Sequence, residues 1–100
     1  MNDFDFIAIG DVVTDAFIRL KDASIVKGDD GRERLSLRFG DKIPYESVTV
    51  VPAVGNSPNA AVAAARLGLK TALVSDIGDD ESGKKMLIAL ETEKVGIKFV

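Results

Sequence analysis

The fold of this chain is decided by residues 53–83, AVGNSPNAAVAAARLGLKTALVSDIGDDESG. A polar turn in this stretch precedes an alanine-rich segment, residues 59–67, that is typical of a helix packed closely on its neighbours. Ser57 is predicted to cap this helix, with Pro58 at the first helical position, where its missing N–H is harmless. Gly68 is predicted to end the helix as its C-cap residue.

Short apolar runs on both sides of this helix predict the strands of a parallel sheet. Residues 4–9 form a short, nearly continuous apolar run, which is typical of a strand covered on both faces, and residues 71–77 are predicted to form the next buried strand. Asp79 or Asp80 is predicted to cap a second helix, and residues 97–100 begin a further strand. The order of these elements predicts an α/β fold with an open parallel sheet, which needs more strands than these 100 residues supply.

The segment between the first strand and the first helix follows a different pattern. Runs rich in β-forming residues, 12–20 and 47–51, flank a polar segment, residues 21–34, that we predict to be a loop. Residues 35–39 alternate apolar and polar side chains, as in a strand with one face in water. We therefore predict one domain in two parts: a core of residues 1–11 and 52–100, and a small lid sheet of about residues 12–51.

The composition excludes several classes of active site and partner. The 100 residues contain neither cysteine nor histidine, which excludes disulfides, thiolate zinc sites, imidazole bases and Ser-His-Asp triads. The formal net charge of −3 comes from interspersed charges without a basic patch, which argues against nucleic acid as the main partner. The apolar run at the N-terminus is too short for a signal peptide or a membrane span, so we expect a cytoplasmic protein.

Residues suited to hydroxyl recognition lie near the predicted ends of the first strand and the first helix. Asp15 follows the first strand, at the edge where open α/β sheets bind ligands; an exposed loop carboxylate is the alternative interpretation. Gly55 permits close backbone approach, and Asn56 and Asn59 each offer an amide donor and acceptor, unless one of them merely caps the helix. Neither a Rossmann nor a P-loop glycine motif occurs in the sequence. The segment 78–83, which contains three acidic residues, lacks the ligand spacing of an EF-hand, so we expect no metal site.

The spacing of these residues resembles the N-terminal third of the ribokinase-like (PfkB) sugar kinase family. Gly10 and Asp15 match the family's strand opening. Two residues depart from the family's early signature: Val54 replaces its usual first glycine, and Ser57 occupies a position where Gly, Ala or Pro is common. The resemblance covers essentially the whole chain and is weakest over residues 20–51. The family's early signature is matched in its spacing by Gly55, Asn59, Ala61, Gly68 and Gly78.

This resemblance implies a ribokinase-like open parallel sheet with flanking helices and a small β-clasp lid sheet. It implies an ATP-dependent, Mg²⁺-dependent kinase that phosphorylates a hydroxymethyl group of a sugar, or alternatively of a nucleoside such as adenosine. Asp15, Gly55, Asn56 and Asn59 would contact the substrate, and the lid sheet would make a homodimer contact. The Gly-Ala-Gly-Asp segment that carries the family's catalytic Asp does not occur, so we expect no catalytic residue here and expect ATP and Mg²⁺ to bind mostly outside these 100 residues.

Two interpretations from other classes are open. A non-catalytic sugar-binding or nucleoside-binding module would keep the pocket without the chemistry, although an incomplete sheet with an open edge favours aggregation. A truncated remnant would have no function, and we expect such a chain to unfold without cooperativity and without responding to a ligand.

Overall fold

A computed structural model describes residues 4–100. The chain divides into two compact units: a core unit, Met1–Asp15 with Val50–Val100, and a clasp unit, Ala16–Thr49. The elements follow in the order β1 (Phe6–Ile9), β2 (Val13–Leu20), β3 (Ser24–Lys27), β4 (Glu33–Ser36), β5 (Tyr45–Val54), α1 (Asn56–Arg66), β6 (Thr71–Val74), α2 (Glu81–Thr92) and β7 (Val95–Phe99).

The core unit is built on a three-stranded parallel sheet in the order β1-β6-β7. β1 pairs with β6 from Phe6 opposite Thr71 to Ile9 opposite Val74. β7 pairs with the other edge of β6, beginning with Thr71 opposite Val95, and its register shifts before the strands end. Parallel strands joined through helices confirm the predicted α/β class.

Helix α1 packs against β1 and β6, and helix α2 packs against β7. Leu73 of β6 and Leu90 of α2 are completely buried, and burial of each such side chain stabilises the fold by roughly 1.5–3 kcal/mol. Ala61 is also completely buried, so its small side chain lets α1 lie close to the sheet. The buried cluster consists of Ala8, Val12, Ala53, Ala61, Leu73, Met86, Leu90 and Val95.

Strand β1 is buried on one face, whereas its continuous apolar run predicted cover on both. Ala8 is buried in the core cluster, but Ile7 and Ile9 are 46% and 77% exposed. Because successive side chains of a strand point to opposite faces, both isoleucines lie on the face away from Ala8. An apolar run indicates that both faces of a strand are suited to burial. Whether each face is buried depends on other segments of the fold.

Helix α1 begins before the predicted N-cap, so the assignment of that role to Ser57 is wrong. Gly55 is the N-cap residue, with φ 125°, and no side chain makes a capping hydrogen bond there. The Ser57 hydroxyl donates instead to the Asp11 carbonyl oxygen at 2.9 Å. Pro58 is therefore at the third helical position rather than the first. A helix leaves the N–H of its third residue unpaired, so the missing N–H of Pro58 is harmless there too.

Helix α2 has the side-chain cap that α1 lacks. Asp80, one of the two predicted candidates, is its N-cap residue and accepts a hydrogen bond from the Gly83 N–H at 2.8 Å. Gly83 is buried in the first turn, and a Cβ atom at that position would overlap the Gly78 carbonyl oxygen. The preceding loop therefore folds back tightly onto the start of α2.

The clasp unit contains a hairpin within the segment that polarity alone predicted as a loop. β3 and β4 pair antiparallel from Ser24 opposite Ser36, so the second strand also ends before the predicted Phe39. Both faces of a two-stranded ribbon can remain wet, so its strands need no apolar pattern. The turn is closed by the Asp30 carboxylate, which accepts from the Arg32 N–H at 3.0 Å and from the Arg34 guanidinium at 2.7 Å, and these bonds lower the pKa of Asp30.

Candidate functional site

The start of helix α1 meets the carboxyl end of the parallel sheet. The Ser57 hydroxyl bonds to the carbonyl of Asp11, which lies just after β1, and the Gly10 N–H donates to the Val74 carbonyl oxygen of β6 at 3.2 Å. The carboxyl edge of an open α/β sheet is where such folds bind their ligands. The geometry therefore directs attention to the first turn of α1.

Two glycines allow this close approach of strand end and helix start. A Cβ atom at Gly10 would lie 2.9 Å from the Ser57 hydroxyl oxygen, and one at Gly55 would lie 3.2 Å from the Asp11 carbonyl oxygen. Gly55 also has φ 125°, a conformation that side chains with a Cβ atom rarely adopt. Glycine at both positions is thus explained by backbone packing, in addition to any approach of a ligand.

Three of the four predicted substrate residues lie together at this helix start. Gly55 is the N-cap residue, and the exposed residues Asn56 and Asn59 lie within the first turn. The Asn59 N–H makes the first intrahelical bond, to the Gly55 carbonyl oxygen at 2.9 Å. No side chain makes a capping hydrogen bond at the start of α1, so neither asparagine serves as the helix cap.

Asp15, the fourth predicted residue, lies on a different element. It is an exposed residue of β2, which pairs with β5, the strand that leads directly to Gly55. The fold therefore places this carboxylate on the strand beside the one that enters the helix. Its contact with a substrate stays a prediction, as do those of Gly55, Asn56 and Asn59.

Ala53, just before this turn, has an unusual backbone conformation that the sequence did not reveal. It is buried and has φ 60°, in the left-handed region that costs an L-residue roughly 1–2 kcal/mol. Val54 follows it, half-buried, at the position where the family usually has glycine. Strained residues of this kind cluster at functional sites, and this one redirects the chain into Gly55.

A groove of about 550 Å³ runs along one face of α1, from its first turn to its last, and is mostly apolar. Residues 51–54 at the end of β5 form one side, and Ala89 and Leu90 of α2 contribute to another. Sequence reasoning missed this groove, although its residues on α1 have the helical spacing of one face. Those residues are Asn59, Val62, Ala63 and Arg66.

Two further observations concern metals and membranes. Among residues 4–100, no three acidic side chains come together in an arrangement that could hold a metal ion. The acidic turn before α2 uses Asp80 as a helix cap. Neither helix in this part of the chain has the length and apolar character needed to cross a bilayer.

Comparison with known proteins gives the family. The profile of the pfkB family carbohydrate kinases matches residues 31–100. A protein assigned as a ribokinase from Agrobacterium tumefaciens superposes with a TM-score of 0.65 at 24% identity over 92% of this chain. A protein assigned as a sugar kinase from Clostridium perfringens superposes with a TM-score of 0.70 at 23% identity over 97% of it.

This chain spans only part of those structures, namely 26% of the length of each. Comparison with curated proteins gave no match. At these identities the solved structures show the ribokinase-like fold, and the profile match covers most of the chain. The chain belongs to the pfkB family of carbohydrate kinases.

Proposed function

We propose that this chain forms the sugar-binding part of an ATP-dependent kinase that phosphorylates a hydroxymethyl group of a carbohydrate. Membership of the pfkB family supports the reaction class. The observation that carries the proposal is the first turn of α1, where a glycine N-cap, two exposed amides and a helix end without a side-chain cap meet the carboxyl edge of the sheet.

Each residue of this site has a distinct role in the proposal. The Asp15 carboxylate accepts hydrogen bonds from sugar hydroxyls, each contributing about 1.5–3 kcal/mol because the acceptor is charged. The side-chain amides of Asn56 and Asn59 donate to and accept from further hydroxyls. Gly55 lets the sugar approach the backbone closely. Together these groups would hold the acceptor hydroxyl in one orientation, which is the chief requirement of phosphoryl transfer.

We propose that ATP and Mg²⁺ bind mostly outside these 100 residues, as the family resemblance implies. The Gly-Ala-Gly-Asp segment that carries the family's catalytic Asp does not occur in the sequence, so we assign no catalytic residue to these 100 residues. When bound to the complete kinase, MgATP supplies the phosphoryl group. We place the protein in the cytoplasm, the compartment that supplies ATP.

A substrate screen tests the proposal on the protein at its natural length. ADP release would be measured with ATP, Mg²⁺ and a panel of pentoses, hexoses and nucleosides. We expect a carbohydrate to give the highest kcat/KM and Asn59→Ala to raise its KM roughly tenfold or more, by loss of hydroxyl contacts. Glu91→Ala, a truncation on an exposed position of α2, is the control. Absence of turnover with every compound, or an unchanged KM in Asn59→Ala, would contradict the proposal.

We also propose that the clasp unit makes a homodimer contact. Every residue of Ala16–Thr49 is exposed or half-exposed, and several of these side chains are large and apolar. Ile25 of β3 lies opposite Leu35 of β4, and adjoining exposed apolar side chains of this kind favour an interaction surface. Sedimentation velocity of the protein at its natural length should show a dimer, and a purely monomeric species would contradict this. The apolar side chains include Phe17, Ile25, Leu35, Phe39 and Tyr45.

A further inference from the structure

Ser57 connects two parts of the core unit that are far apart in sequence. Its hydroxyl donates to the Asp11 carbonyl oxygen at 2.9 Å, across 46 positions of the chain. Ser57 is the second residue of α1, and Asp11 lies in the turn between β1 and β2. The bond therefore attaches the first turn of the helix to the turn that follows the first strand.

The surroundings of this bond restrict its geometry. Gly10 leaves just enough room for the hydroxyl, because a Cβ atom there would come within 2.9 Å of the Ser57 oxygen. Val12, the next residue but one, is buried in the core cluster. The Gly10 N–H is bonded to the Val74 carbonyl oxygen. The turn is thus anchored on both sides of Asp11, and the Ser57 hydroxyl adds the link to α1.

The two attachment points lie close in sequence to the proposed sugar-binding side chains. Asn59 is on the same helical turn as Ser57, and Asp15 follows Asp11 by four residues, in a strand that begins at Val13. Helix and strand are regular elements, so the position of each side chain follows from the position of the element's start. The link between Ser57 and Asp11 therefore contributes to the spacing between the Asp15 carboxylate and the Asn59 amide.

We propose that Ser57 is a positioning residue of the sugar site: its hydroxyl sets the separation of Asp15 and Asn59. This inference rests on the proposed function, since it concerns how that site is held. A polyol bound by both side chains loses affinity when their separation changes, even though neither side chain is removed. The chemistry of the hydroxyl, rather than the size of the side chain, is what the role requires.

The test compares Ser57→Ala with Ser82→Ala in the protein at its natural length. Ser82 is the second residue of α2, as Ser57 is of α1, and it is exposed, so the same change is made at an equivalent helix position. We expect Ser57→Ala to raise the KM for the best sugar roughly three- to tenfold with kcat within about twofold of wild type, the scale of one lost hydrogen bond. Ser57→Thr retains the hydroxyl and should restore most of the affinity.

A second measurement keeps the inference testable without catalysis. Hydrogen–deuterium exchange should become faster at the Gly10 amide and over residues 11–15 in Ser57→Ala, and stay unchanged there in Ser82→Ala. Unchanged exchange and an unchanged KM in Ser57→Ala would overturn the inference. If the wild-type protein turns over no sugar, the proposed function fails; unchanged exchange would then overturn the link itself, and faster exchange would support it.

Discussion

Arg66 donates two hydrogen bonds to the Glu93 carboxylate, from Nε to Oε2 at 2.8 Å and from Nη2 to Oε1 at 2.5 Å. The pair joins the last turn of α1 to the C-cap residue of α2. The hydrogen bonds from Arg66 hold the pKa of Glu93 below its ordinary value, and Glu93 in turn raises the pKa of Arg66. Two parallel bonds of this kind need a guanidinium, because lysine cannot present the same planar pair of donors.

Replacement of Glu93 by glutamine should alter the acid dependence of stability. The folded-state pKa of Glu93 is lowered, so its contribution is present above the ordinary glutamate value of 4.5 and is lost as pH falls through the lowered pKa. We expect the free energy of unfolding to fall less steeply below that pH in Glu93→Gln than in wild type. Urea unfolding at a series of pH values, at low salt, measures this. Glu91→Gln on the exposed side of α2 should keep the wild-type slope; equal slopes for wild type and Glu93→Gln would contradict the prediction.

Each helix is followed by a residue in the left-handed conformation, a glycine after α1 and a lysine after α2. Glycine adopts this conformation easily and lysine does not, so substitutions at the two positions should change stability in opposite directions. Gly68 after α1 has φ 95°, and a Cβ atom there would have no neighbour within 4 Å, whereas Lys94 after α2 has φ 62°. Gly68→Ala should destabilise the protein by about 1 kcal/mol through backbone strain alone. Lys94→Gly should stabilise it by roughly 0.5 kcal/mol, since strain relief exceeds the added freedom of the unfolded chain. Thermal unfolding of both variants checks the signs, and two changes in the same direction would refute the explanation.

The substitution Gly83→Ala tests whether packing or helix propensity decides the effect on stability at this position. Propensity alone predicts that Gly83→Ala in α2 stabilises the protein by about 1 kcal/mol. The Cβ atom would, however, overlap the Gly78 carbonyl oxygen, a backbone atom that cannot rotate away. We therefore expect destabilisation by about 1–3 kcal/mol in urea unfolding, as for other overpacked sites. The neighbouring exposed Ser82→Ala should be nearly neutral, and a stabilised Gly83→Ala would show that the loop yields easily.

Removal of the Asp15 carboxylate should weaken sugar binding without unfolding the protein. Asp15 is exposed on β2, so Asp15→Ala creates no cavity. Loss of charged hydrogen bonds to hydroxyls should raise the sugar Kd at least about tenfold in isothermal titration of the protein at its natural length. Asp29→Ala, which removes an exposed carboxylate of the clasp unit, is the matched control. Wild-type affinity in Asp15→Ala would remove Asp15 from the site.

The 100 residues by themselves should not catalyse phosphoryl transfer. The Gly-Ala-Gly-Asp segment, which supplies the family's catalytic Asp and anion hole, does not occur in the sequence, so we expect the charge of a transferring phosphoryl group not to be stabilised by these residues alone. The purified 100-residue chain, incubated with ATP, Mg²⁺ and the sugars of the substrate screen, should release ADP at the rate of the buffer. Faster release that depends on a sugar would refute this prediction, and the protein at its natural length is the positive control.

The elements of the core unit followed from local sequence signals. An alanine-rich helix between short apolar runs predicts strand, helix and strand because periodicity and capping are properties of neighbouring residues. The Asp80 cap was predicted for the same reason, as was the α/β class. Gly68, predicted as the C-cap residue of α1, instead follows the C-cap residue Leu67, because the left-handed glycine comes one position after the cap. The spacing of Gly55, Asn59 and Gly78 identified the family that the profile match now shows.

Tertiary structure alone decided how those elements meet. Ser57 carried the local signal of a helix cap, but its hydroxyl bonds to Asp11, a partner 46 positions away that no local pattern reveals. Whether a face of β1 is buried likewise depends on which other segments cover it. The left-handed backbone of Ala53 depends on the path that the chain takes into α1. Sequence determined the helices and strands of the core unit and the family because these depend on short-range patterns. How the turn after β1 meets the first turn of α1 is set by contacts between distant residues such as Asp11 and Ser57, and only the folded chain contains them.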